Sequence, residues 1–149
     1  GLFNILDNKI DIIDATVLDL FTGTGNLSFE FTSRGAKSSI AVDISHISVR
    51  FVNEQAKKWK LPIKAFKNNV FKFLAKPVGT FDIIFADPPY ALDGIDKIPD
   101  LVLQSALLSS DGLLIVEHGK ETNFKDHPNL VDVRNYSKVN FSFFKHPVE

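Results

Sequence analysis

The sequence predicts an α/β fold: a mostly parallel sheet of about seven strands, helices on both faces and an antiparallel C-terminal hairpin. Three observations predict it. Apolar, β-branched runs alternate with segments of helical spacing. The runs are apolar almost throughout, as in strands covered on both faces. After Glu117 the rhythm changes, and two strand-like runs follow each other with no helix between them.

In chain order, Gly1-Leu2-Phe3-Asn4-Ile5-Leu6 reads as the inside of a helix. With no methionine anywhere in the 149 residues, the expectation is a fragment of a longer protein. Strands are expected at Thr16-Val17-Leu18-Asp19-Leu20, Ser39-Ile40-Ala41-Val42-Asp43, Pro62 to Lys67, Phe81-Asp82-Ile83-Ile84-Phe85-Ala86 and Leu113 to Glu117. Between the second and third, Ile44, Ile47, Phe51, Val52 and Trp59 recur at helical spacing, with Ser45 placed to cap the helix start. Leu101, Leu103, Leu107 and Leu108 predict another helix before a turn at Asp111-Gly112. Leu130 to Asn135 and Asn140 to Lys145 form the expected hairpin at the sheet edge.

Composition narrows the chemistry. Apolar residues make up 44% and charged residues 23%, the profile of one folded domain over residues 1–149. No apolar run approaches the roughly 20 residues of a membrane span, so the expectation is a cytoplasmic protein without a membrane partner; a monomer is also expected. The absence of cysteine excludes disulfides, thiolate nucleophiles, cysteine-bound zinc and iron–sulfur clusters. His46, His127 and His146 show no metal-ligand spacing, so no metal is expected. Seventeen basic against eighteen acidic residues give a net charge of −1, without the basic excess of a nucleic-acid binder.

In an open parallel sheet, ligands sit beyond the carboxyl ends of the strands, and here the distinctive residues gather at those ends. The first strand runs into Phe21-Thr22-Gly23-Thr24-Gly25, the second ends at Asp43 and the third leads into Asn68-Asn69. The fourth ends Asp87-Pro88-Pro89-Tyr90 and the fifth Glu117-His118-Gly119. Gly23 and Gly25 permit a tight turn and close approach of a ligand, though a plain strand-to-helix turn would use them too. Ser28 stands where a dinucleotide fingerprint wants its third glycine, and the lysine of a phosphate-cradling loop is missing. Asp43 either accepts hydrogen bonds from a ribose or caps a helix.

Asp87-Pro88-Pro89-Tyr90 carries the most information. Paired prolines cannot continue a central strand, so they end the ladder and leave carbonyl oxygens unpaired at its tip. An amino group on an aromatic base needs two acceptors if its lone pair is to turn away from the ring. Asp87 and the Pro88 carbonyl supply two, and Tyr90 supplies a flat stacking face.

With these residues in place, Asp19-x-Phe21-x-Gly23-x-Gly25 followed by Asp87-Pro88-Pro89-Tyr90 resembles the S-adenosylmethionine-dependent amino methyltransferases. Leu2-Phe3-Asn4-Ile5-Leu6, Val17-Leu18-Asp19-Leu20-Phe21, Ser33-Arg34-Gly35-Ala36 and Phe81 to Tyr90 are similar to the RsmD family, over nearly the whole chain. The resemblance implies a Rossmann-like class I methyltransferase, using S-adenosyl-L-methionine to methylate guanine N2 in small-subunit ribosomal RNA or the assembled small subunit. It implies Asp87, Pro88, Pro89 and Tyr90 as the catalytic set. Asp19, Phe21, Gly23, Thr24, Gly25, Asp43, Ile44, Asn69 and Val70 become the cofactor-binding set. Gly23 and Gly25 would pass under the methionine part, Asp43 would hold the ribose, Ile44 would pack on the adenine, and Asn69 with the Val70 amide would read its edge. Two departures are visible. The family's N-terminal basic arm is not in this sequence, and Val139-Asn140 stands where relatives often carry glycine.

From Lys57 to Lys76 there are seven lysines and no acid, expected to be an ordinary solvated face opposite the site, with Lys72 and Lys76 the better placed for RNA. His118 is expected on a surface turn. The alternative functions are a DNA adenine-N6 methyltransferase, for which there is no room for a target-recognition domain, a non-catalytic nucleoside-binding module, and a nicotinamide oxidoreductase, against which Ser28 speaks.

Overall fold

The computed structural model describes residues 1–148. The elements, in order, are α1 (Leu2–Leu6), β1 (Thr16–Leu20), α2 (Asn26–Ser33), β2 (Ser38–Asp43), α3 (His46–Trp59), β3 (Ile63–Lys67), α4 (Val70–Ala75) and β4 (Phe81–Ala86). A 3₁₀ turn at Ile95–Lys97 leads into α5 (Ile98–Leu103), followed by β5 (Leu108–His118), β6 (Leu130–Tyr136) and β7 (Val139–Phe144).

The seven strands form one sheet in the order β3-β2-β1-β4-β5-β7-β6. β1 to β5 pair in parallel, whereas β7 pairs antiparallel with both β5 and β6, so the expected hairpin does close the edge. The chain winds outward from β1 to β2 and β3, then returns to lay β4 on the other side of β1. That reversal between β1 and β4 opens a crevice at their carboxyl ends.

Alternation along each strand divides the core between two faces. Val17, Ile83, Phe85, Leu113 and Ile115 bury themselves with Ile5, Leu6 and Phe31 of α1 and α2. Leu18, Leu20, Ile84, Ala86, Leu114 and Val116 point the other way, against Val70 and Leu74 of α4 and Ile98 and Val102 of α5. This double burial explains why the strands read as unbroken apolar runs.

Two readings of the elements are corrected. α5 stops at Leu103, and Leu107 and Leu108 belong to the entry and first residue of β5. The Ser105 hydroxyl donates to the Val102 carbonyl and accepts from Leu107 N, turning the chain out of the helix. Asp111-Gly112 lies inside β5, where the pairing with β4 shifts register between Phe81 and Ile83. A β-carbon on Gly112 would stand 2.9 Å from the Asp82 carbonyl, so this close approach requires glycine. The second correction concerns α3. Ser45 caps it as expected, accepting from Ser48 N at 3.2 Å. Its buried face, however, is Val52 and Ala56, while Ile47 is 80% exposed and Trp59 64%. Asn53 ties α3 to the edge strand by accepting from Ala65 N at 2.8 Å and donating to Ala65 O at 3.0 Å. Otherwise those backbone groups would lie open.

Candidate active site

The end of β1 is organised by a buried acid. Asp19 is 2% exposed, and one of its oxygens accepts both the Thr22 hydroxyl at 2.7 Å and the Ser28 hydroxyl at 2.6 Å. Ser28 also bonds Ser39 of β2, at 2.8 Å. Burial lifts the Asp19 carboxyl to about 6, against the pull of its Ser28 and Thr22 hydrogen bonds. Asp19 therefore fixes the loop from behind, and Ser28 is its anchor on α2 rather than a missing glycine.

The loop itself is bent into left-handed backbone at three residues: Phe21 (φ +61°), Gly23 (+56°) and Gly25 (+83°). For Phe21 this conformation is costly, and the strain falls where the loop faces the crevice. The bend is tied to β2 through Thr22 N donating to the Val42 carbonyl at 3.0 Å. Gly23 N donates to one Asp43 oxygen at 2.8 Å, and Ser45 N donates to the other at 2.9 Å. Asp43 thus ties the glycine bend to the residue that caps α3, Ser45, and keeps lone pairs left over for a ligand.

At α4, Asn69 Oδ1 accepts from Lys72 N at 3.2 Å as an N-cap. The Val70 and Phe71 amides open the helix, before any intrahelical partner exists for them. At the end of β4, Asp87 N donates to Leu20 O at 3.4 Å and Leu92 N to Pro89 O at 2.9 Å. Among the described residues no backbone N–H reaches the Pro88 carbonyl.

These ends enclose a cavity of about 600 Å³, within the range of ligand sites. Phe21, Gly23, Asp43, Ile44, Asn69, Val70, Asp87, Pro88, Pro89 and Tyr90 all line it. Asp19, Thr24 and Gly25 do not. Asp19 is buried behind the bend. Gly25 faces α3 and α2, where a β-carbon would sit 2.8 Å from Val52 and 2.9 Å from Phe29. Thr24 borders a separate groove with Phe51 and Trp59.

Sequence reasoning missed three residues. Phe71 and Leu92 complete the apolar lining. Glu117, at the end of β5, meets Tyr90, whose hydroxyl donates to Glu117 Oε2 at 3.3 Å, and it also faces Asp87. Burial, then the neighbouring Asp87, pushes Glu117 up to about 7, and burial also raises Asp87. Burial, followed by the Glu117 charge, pushes the Tyr90 hydroxyl up to about 12. The signal for Glu117 was its position at the strand-end edge.

His118 is also corrected. It is 3% exposed, not on a surface turn. Its Nδ1 lies 2.9 Å from Gly119 O, which can only accept, so Nδ1 carries the proton and Nε2 accepts from the Ser142 hydroxyl at 2.7 Å. Burial lowers its pKa and keeps it neutral, an anchor between β5 and β7. Among the described residues no His, Cys, Asp or Glu cluster has the make-up of a metal site, and no helix is long and apolar enough to cross a membrane.

The sheet order and the antiparallel last strands give the class I methyltransferase fold, shared with the Escherichia coli protein yhhF (TM-score 0.86, 23% identity, covering 99% of this chain and 83% of that one). The same fold occurs in SMU.776, solved in complex with SAH (TM-score 0.78, 20% identity, 97% of this chain and 48% of that one). Residues 1–145 match the family described as Conserved hypothetical protein 95, and the chain belongs to this RsmD-like family. Ribosomal RNA small subunit methyltransferase D of Buchnera aphidicola is 29% identical over 123 residues, 82% of this chain and 62% of that protein. A Methanocaldococcus jannaschii protein named for N5-glutamine methylation is 32% identical over 102 residues, 68% of this chain and 50% of that protein. The tRNA1(Val) (adenine(37)-N6)-methyltransferase of Pasteurella multocida is 30% identical over 84 residues, 54% of this chain and 35% of that protein. The chain spans less than two thirds of the length of each of these three relatives.

Proposed function

We propose that the protein transfers the methyl group of S-adenosylmethionine to the exocyclic N2 of a guanine in small-subunit ribosomal RNA, free or in the assembled subunit. The observation that carries this reading is one carboxylate, Asp87, and one carbonyl, Pro88, with no backbone partner among the described residues, at the end of a buried strand, beside the cavity bounded by the glycine bend and Asp43. The names of the Buchnera and Escherichia coli relatives support the RNA class.

The cavity suits the donor: Gly23 has open space where a side chain would be, Asp43 keeps free lone pairs, and the α4 amides lack intrahelical partners. Phe21 and Gly23 would hold the methionine part, Asp43 the ribose, Ile44 the adenine face, and Asn69 with Val70 its edge. Asp19, Thr24 and Gly25 support the bend. When bound, the donor supplies an electrophilic methyl on a sulfonium.

The chain's own work is alignment, which can remove about 7–11 kcal/mol of barrier. Asp87 and the Pro88 carbonyl each accept one N–H of the target amine, turning its lone pair out of conjugation toward the cavity. Tyr90 stacks on the ring, worth on the order of 1–3 kcal/mol. As the nitrogen takes up the methyl, its surplus proton passes to the Asp87 carboxylate.

The test is labelled methyl transfer to unmodified small subunits, free ribosomal RNA, DNA and protein. Asp87→Ala is expected to lower transfer at least about 100-fold while S-adenosylmethionine affinity stays within about threefold. Retained turnover removes Asp87 from this role. Label on adenine would favour the activity named for the Pasteurella relative, label on glutamine that named for the Methanocaldococcus one, and donor binding without any transfer a nucleoside-binding module.

A further inference from the structure

We propose that Glu117 is a specificity-determining residue that accepts the N1–H of the target guanine beside Asp87, so that the two carboxylates form an acceptor pair selecting guanine over adenine. This rests on the methyl-transfer reading above and adds to it how the base is chosen.

The placement follows from strand order. β4 lies between β1 and β5, and the cavity is lined from β1, β2, α4 and the segment after β4, with nothing from β5. Asp87 therefore stands between the cavity and Glu117. With the methyl donor in the cavity, as proposed above, the side of Asp87 left for a base is the β5 side. There Ala86 pairs with Val116, so Asp87 and Glu117 are the next residues along the two strands, and their carboxyl groups meet. Tyr90 is fixed to the same carboxylate by its hydroxyl, at 3.3 Å. Gly119 lets the Tyr90 ring lie against the end of β5, since a β-carbon there would stand 3.2 Å from it. The neighbouring His118 is turned away to Ser142.

Base chemistry then decides what fits. Guanine presents two adjacent donors, N1–H and the N2 amine, whereas adenine presents an acceptor, N1, beside its N6 amine. Ionised carboxylates only accept. Two of them side by side and half-buried oppose each other, and a base that brings two donors relieves the opposition. Adenine would turn a lone pair toward Glu117. The charged groups acting on Tyr90 are Glu117, Asp87 and Glu121, all acidic, which suits an N–H-rich base edge and repels phosphate.

The experiment uses 2-aminopurine, which keeps the 2-amine but has an unprotonated N1. The methylated guanine is mapped first, and small-subunit RNA is then prepared with guanine or 2-aminopurine at that position. The unsubstituted protein is expected to favour guanine in kcat/KM roughly 10- to 100-fold. With Glu117→Gln, whose amide can turn its NH₂ toward N1, the preference is expected to fall to about threefold or less, the two changes together costing no more than either alone. Binding followed by 2-aminopurine fluorescence should show the same loss of discrimination. Equal use of both bases by the unsubstituted protein, or an unchanged preference in Glu117→Gln, overturns the assignment while leaving the methyl-transfer reading intact. If Glu117→Gln fails to fold, the comparison of bases by the unsubstituted protein decides. Absence of transfer to guanine overturns both.

Discussion

Asp19 and Asp87 lie at the ends of adjacent strands, both raised by burial, yet they do different work. Asp87 lines the cavity, whereas Asp19 is enclosed and holds the loop through Thr22 and Ser28. Its pKa of about 6 in the fold, against 3.8 unfolded, makes the native state the stronger proton binder between those values. Stability from this group is therefore greatest below about pH 4 and is lost as pH rises through 6, by about 3 kcal/mol in all, of which about 2 kcal/mol falls between pH 4 and pH 6. Asp19→Asn keeps an oxygen for both hydroxyls and no longer titrates. Urea unfolding at pH 4 and pH 6 should show a flatter pH dependence in that variant, and an unchanged slope would mean the carboxyl is not buried as described. At this scale, legibility depended on how local the signal was. Asp87 to Tyr90 were readable because four consecutive residues carry their own backbone chemistry. Glu117 was placed at the same strand-end edge, but its meeting with Asp87 was not readable, because it arises from the β4–β5 register, which no short stretch of chain contains.

Elements were legible where amphipathic period and caps agreed, and misread where spacing alone was used. The leucines of α5 continue at helical intervals into β5, so periodicity carried the helix past Leu103, where Ser105 turns the chain. On α3 the large residues Ile47 and Trp59 carry the helical spacing, but the helix packs on β3 through small Ala56 and Val52. That close packing also governs the glycine bend. Gly25 caps α2 at φ +83° with Val52 within 2.8 Å of where its β-carbon would be. Gly25→Ala combines a disfavoured backbone with overpacking and is expected to cost about 1–3 kcal/mol, read as a lowered midpoint of thermal unfolding. Gly23→Ala has the same left-handed backbone but open space, and should cost less in stability than Gly25→Ala. If both variants lost equal stability, packing against α3 would not be what requires glycine at 25.

Over the whole molecule, a net charge of −1 coexists with seven lysines between Lys57 and Lys76, and the fold separates most of them from the candidate site. α3 starts beside Asp43 at the carboxyl edge of the sheet and runs back across it, so its last turn, with Lys57 and Lys58, lies at the opposite edge. A helix of 14 residues spans about 21 Å, more than twice the Debye length of about 8 Å at physiological salt. Charges there act on the last turn of their own helix, where they complement its dipole, and are screened from a base at Asp87. Reversing both, Lys57→Glu with Lys58→Glu, should therefore lower stability by about 0.3–1 kcal/mol per residue. Methyl transfer to RNA should stay within about twofold at 0.15 M salt. Melting and steady-state transfer measured on the same double variant separate the two effects. A tenfold or greater rise in KM for RNA, with kcat unchanged, would mean that the RNA wraps around the β3 edge to reach α3, and that the solvated face is part of the substrate path.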